Sequence, residues 1–117
     1  MNSVKPIDWL GDSLRRVRAF SKPVRQQVGF ELEMVQHGME PSDWKPMPSI
    51  GPGVREIRVH ADGEHRVFYS ANFEHRIYVL NAFVKKTQKT PESVIRLGGS
   101  GIRKRFEEKR GDYESEN

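Results

Sequence analysis

Apolar residues recur along this chain with two periods, and the switch between them divides a helical first third from a strand-rich middle. Val24, Val28, Leu32 and Val35 fall three or four residues apart, which puts them on one stripe of a helix. Ser21 stands where a cap is wanted, Pro23 falls in the first turn where a missing N–H costs little, and Gly38 suits a left-handed C-terminal residue. A shorter helix is predicted just before it, capped by Asp12 or Ser13 and running through Leu14 and Val17 toward Phe20. Upstream, Val4 to Trp9 alternates weakly and contains Pro6, which marks a short edge strand.

From Met39 to Gly53 four prolines (Pro41, Pro46, Pro48, Pro52) and two glycines predict a loop, with Trp44 as its one anchor in the core. Three strand signals follow, Val54 to His60, Arg66 to Ala71 and Arg76 to Val84. They are separated by Asp62-Gly63 and Asn72-Phe73-Glu74 and read as an antiparallel meander. Thr90-Pro91-Glu92 then supplies cap, first-turn proline and early acid for a last short helix, interrupted by Gly98, Gly99 and Gly101. The expected architecture is α+β: an N-terminal edge strand and two helices packed on one face of a small antiparallel sheet, with the other face partly open. One domain over 1–106 and a charged, disordered tail over 107–117 complete the expectation.

Composition narrows the function classes. The 117 residues can bury a core without staples, and the lack of cysteine removes disulfides and thiolate metal sites and fits a reducing cytoplasm. No apolar run serves as a signal peptide or spans a bilayer, so a soluble cytoplasmic protein with no membrane partner is expected. Lys and Arg number 20 against 16 for Asp and Glu, a net charge of +4 that favours an anionic partner.

The candidate chemistry lies where cations meet the strands. Residues two apart share a strand face, so Glu56, Arg58 and His60 form one set and Arg66, Phe68 and Ser70 another. On the third strand the set containing Tyr78 and Ala82 ends at Lys86. If the sets bearing Arg58, Arg66 and Lys86 point the same way, the open face is a cationic groove, with Lys85 and Lys89 at its rim. Such a groove suits RNA cleavage by the 2′-hydroxyl. One group takes the 2′-O proton, guanidinium groups stabilise charge on phosphorus, and one group protonates the departing 5′-oxygen. Tyr69, Tyr78 or Phe68 could stack on a base. Arg58 and Arg66 equally fit cross-strand ion pairs with Glu56, Glu64 or Glu74, and the lysines fit a solvated turn. His60, His65 and His75 lack metal-ligand spacing, and no nucleotide or cofactor fingerprint is present, so no metal and no cofactor is expected.

In order, Pro6-Ile7-Asp8-Trp9, the helix from Val24 to Gln36, Asp43-Trp44-Lys45-Pro46-Met47 and Gly53-Val54-Arg55-Glu56-Ile57-Arg58 are followed by His65-Arg66-Val67-Phe68-Tyr69, Phe83-Val84-Lys85-Lys86 and Lys89-Thr90-Pro91. Together these segments resemble the RelE/ParE toxin superfamily, and more closely its HigB-like branch of phage-derived Gp49-like proteins. The resemblance implies a microbial-ribonuclease-like fold and the toxin of a type II toxin–antitoxin pair that enters the ribosomal decoding site and cuts messenger RNA without a metal. It places Arg58, Arg66 and Lys86 at phosphate-contacting or catalytic positions; Arg55, Lys85, Lys89 and Phe68 are the further candidates for RNA or phosphate binding. Glu56 stands where RelE has a basic residue, which leaves His60, His65 or a lysine for the general base. Tyr113 lies too far into the tail to match the C-terminal RelE tyrosine. A helix-turn-helix, HigA-like antitoxin is the implied partner. A ParE-like gyrase inhibitor and a non-catalytic phage-derived binding protein are the alternative functions on the same scaffold.

Overall fold

The computed structural model describes residues 4–71 and 75–86. The elements run β1 (Ile7–Trp9), α1 (Ser13–Arg18), α2 (Lys22–Gln36), β2 (Trp44–Pro46), β3 (Val54–His60), β4 (Glu64–Ser70) and β5 (Ile77–Val84). They make an α+β fold with two consecutive helices on a five-stranded sheet of order β1-β5-β4-β3-β2. The meander β3–β4–β5 is antiparallel as its sequence implies. The sheet as a whole is mixed, because β1 pairs parallel with β5, Ile7 opposite Ile77. The proline-rich stretch also departs from a plain loop, since Trp44–Pro46 forms edge strand β2 against β3. Pro46 is tolerated there because an edge strand leaves some N–H positions unpaired. The expected final helix, the tail, Lys89, Glu74 and the Asn72–Glu74 turn lie outside the described residues.

Helix α2 buries the predicted stripe Val24, Val28, Leu32 and Val35. It ends as anticipated: Gly38 has φ +81°, its N–H donates to the Val35 carbonyl and that of Met39 donates to Met34. This pair of bonds is a Schellman cap, which a left-handed glycine permits without steric cost. Ser21 precedes the helix but gives its hydroxyl to Asp62 at 2.8 Å instead of accepting from the first turn.

Apolar residues pack on both faces of the sheet. Towards the helices, Ile57, Val59, Val67, Tyr69, Ile77, Val79 and Ala82 meet the helical stripe with Val17 and Phe20. On the reverse face Leu10, Met47 and Ile50 cover Val54, Phe68, Tyr78, Leu80 and Phe83. The chain from Met47 to Gly53 thus caps one half of that face. The half toward the β3–β4 turn carries the charges.

Candidate functional site

Register determines which charges meet. Arg58 lies directly opposite Arg66, Glu56 opposite Phe68, and His60 opposite Glu64, so all six share the reverse face. Lys45 of β2 pairs with Glu56 and joins them. On β5, Phe68 faces Asn81 while Tyr69 faces Val79, which leaves Leu80 as an extra residue in a β-bulge. The bulge shifts the phase of the strand. Ala82 goes to the helix-facing core and Phe83 to the reverse face. Alternation then puts Lys85, not Lys86, with the arginines, and the Lys85 N–H donates to the Glu64 carbonyl at 2.8 Å. The Lys85 ammonium is pushed below its ordinary range, first by desolvation and then by Arg66, Lys45 and Arg58, with Glu56 opposing. Lys86 is exposed beyond the end of β5.

At the centre, the Glu56 side chain is 0% exposed, and its Oε1 lies 3.3 Å from Nε of Arg58 and 3.7 Å from Nε of Arg66. Arg66 is 7% exposed and donates through NH1 to Glu64 Oε1 at 3.0 Å and to the His65 carbonyl at 2.9 Å. Arg58 is 31% exposed and presents more of its guanidinium to solvent. Of the cross-strand ion pairs that the sequence permitted, Arg66–Glu56 exists; Arg58–Glu56 and Arg66–Glu64 join residues two apart on one strand, and Lys45, Arg58 and Lys85 cluster around the buried Arg66.

His60 sits at the edge of this cluster with Nδ1 2.8 Å from Glu64 and Nε2 2.6 Å from Asp43. The Asp43 hydrogen bond foremost, then the Glu64 one, raises its pKa. Both ring nitrogens of His60 are thus engaged by carboxylates. His65 corrects the expectation more directly, because it faces the other side of the sheet. It is buried there against Phe20, ring centroids 4.7 Å apart, and burial lowers its pKa. Phe68, expected to stack on a base, is fully buried and meets Phe83 edge-on at 5.3 Å. Tyr69 and Tyr78 are buried as well. Arg55 also leaves the cluster: it stands over the Trp44 ring at 4.1 Å, with Glu40 3.9 Å away. It lies near the buried Tyr69 hydroxyl without completing a well-formed hydrogen bond.

Residues 15–100 match the family described as phage-derived protein Gp49-like. The chain belongs to that family. Gp49-like proteins are toxins of the RelE/HigB type, so an antitoxin partner is implied for this chain. No curated protein matches significantly. Within this Gp49-like chain, Lys45 is the cluster member that strand reasoning missed. It occurs in the quoted Asp43-to-Met47 segment, but only its pairing with Glu56 reveals its direction. Among the described residues no group of His, Asp and Glu could hold a metal ion, and no helix is long and apolar enough to cross a membrane.

Proposed function

We propose that this toxin is a messenger-RNA endoribonuclease acting at the ribosome, and that the reverse face of its sheet holds the scissile phosphate. The observation that carries the reading is the direct opposition of Arg58 and Arg66, flanked by Lys45 and Lys85 on one face of the sheet. Two guanidinium groups and two ammonium groups suit the extra charge that develops on phosphorus when a 2′-oxygen attacks. With His60 engaged by two carboxylates and His65 behind the sheet, Lys85 is the described group best suited to accept the 2′-proton. Its depressed pKa brings the neutral amine closer to reach at neutral pH. The antitoxin, by this reading a helix-turn-helix protein, neutralises the toxin.

Inducible expression followed by mapping of transcript 5′ ends tests the proposal. New ends confined to translated regions are expected within minutes of induction. Growth arrest with intact transcripts and accumulating DNA breaks would instead establish gyrase inhibition.

A further inference from the structure

Two arginines placed directly opposite each other on neighbouring strands repel, and nothing in the strand geometry alone aims their guanidinium groups at one ligand. Glu56 supplies the constraint. Its Oε1 lies between the two Nε atoms, 3.3 and 3.7 Å away, and Phe68 beside it in register forms an apolar neighbour that excludes water. The other oxygen, Oε2, is buried and has no hydrogen-bond partner among the described residues. An oxygen closed to solvent does not touch a substrate in this conformation, yet a buried carboxylate with an unmatched oxygen is unfavourable enough to call for a reason.

The surrounding contacts extend the constraint. Asp43 holds His60, His60 holds Glu64, Glu64 holds Arg66, Arg66 and Arg58 share Glu56, and the Arg58 N–H returns to the Asp43 carbonyl at 2.9 Å. Side-chain contacts thus run from Asp43 to Arg58, a backbone hydrogen bond closes the chain, and it joins the approach to β2 with β3 and β4.

We propose that Glu56 is a positioning residue that sets Arg58 and Arg66 as a two-armed phosphate clamp, braced through Glu64, His60 and Asp43. This rests on the phosphate-binding reading above. Glu56 accepts from Nε of Arg58 and stands in ionic contact with Nε of Arg66, which forms no hydrogen bond of its own among the described residues. With NH1 of Arg66 given to Glu64 and the His65 carbonyl, the terminal nitrogens of Arg58 and NH2 of Arg66 are those left for the ligand, and the tethers limit the side-chain freedom that binding would otherwise have to remove.

The sign of the effect of Glu56→Gln separates positioning from simple charge. Removing a negative charge beside four cations should tighten anion binding a few-fold if only the local potential matters. Positioning requires the opposite, a loss of about tenfold, as expected when a charged hydrogen bond and an ionic contact that orient a site are weakened. The probe is a 2′-O-methylated single-stranded RNA oligonucleotide, which cannot be cleaved, followed by fluorescence anisotropy over a range of salt. Weaker binding by Glu56→Gln, with the log–log salt slope reduced by about 0.7 per lost phosphate contact, supports the clamp. Equal or tighter binding overturns it while leaving the phosphate-binding reading intact. Failure of the wild type to bind at low salt would sink that reading and the clamp with it. Should Glu56→Gln not fold, as judged by near-UV circular dichroism, Glu64→Gln takes the charge from the second tether of Arg66 at a more exposed site. It is expected to weaken binding a few-fold, and unchanged or tighter binding by that variant overturns the clamp.

Discussion

The Glu56–Arg66 contact should be strongly coupled despite its length, and a double-mutant cycle in Glu56→Gln and Arg66→Met measures that coupling. The pair is 3.7 Å apart with side chains 0% and 7% exposed. At an effective dielectric of 20 this separation corresponds to about 4 kcal/mol of attraction, partly offset by the desolvation of both groups. Each single substitution leaves a buried charge poorly compensated and should cost about 3 kcal/mol. The double variant should be better than the sum of the two by about 2 kcal/mol. Asp12–Arg15 is the internal control: it is shorter, 3.1 Å, but its side chains are 36% and 81% exposed, so a coupling of about 0.3 kcal/mol is expected there. Urea unfolding followed by far-UV circular dichroism at constant ionic strength gives all the values. A Glu56–Arg66 coupling no larger than the surface one would refute the premise that burial, not distance, governs this cluster. The same energetics make Arg66→Ala a poor probe of catalysis, since lost activity would be mixed with lost stability.

Other outcomes are open to direct measurement. Lys85→Arg should keep RNA affinity within about threefold yet lower transcript cleavage by roughly 10²-fold or more, because an always-charged guanidinium cannot accept the 2′-proton; retention of cleavage would remove Lys85 as the base. Lys86→Ala should change growth arrest far less than Lys85→Ala, and the reverse order would contradict the bulge-determined phase of β5. NMR titration should place His60 above and His65 below the ordinary histidine value near 6.5. The His60 contribution to stability is therefore complete below pH 6.5 and fades as pH rises through its folded value, whereas that of His65 is present above 6.5 and is lost on acidification. Phe68→Ala should cost about 3–5 kcal/mol in urea unfolding, while Phe68→Leu should leave RNA binding unchanged; a large affinity loss without destabilisation would restore Phe68 as a base-stacking residue.

Local rules made much of the fold legible. Val24, Val28, Leu32 and Val35 are all buried, Gly38 closes α2, and the three meander strands lie near their expected bounds. What escaped depends on long-range pairing. Ile7 meets Ile77 in parallel, and Trp44–Pro46 becomes a strand because β3 is beside it, against the local advice of its proline. The site shows the same division. Arg58 and Arg66 share a face by simple alternation once β3 and β4 pair, but the extra residue at Leu80 cannot be read from periodicity, and it exchanges Lys86 for Lys85. Glu56 looked like an anomaly among cations in one dimension; in three it is their common partner. His65 was misplaced for the plainest reason: adjacent residues on a strand face opposite sides.

The buried Glu56–Arg66 pair also separates two responses to ionic strength. Charges closed off from solvent are weakly screened, whereas a phosphate chain approaching from solution competes with every counterion at the surface. Rising salt should release the ligand well before it loosens Arg66 from Glu56. The site would then empty with its shape retained, ready to rebind as soon as the salt is diluted.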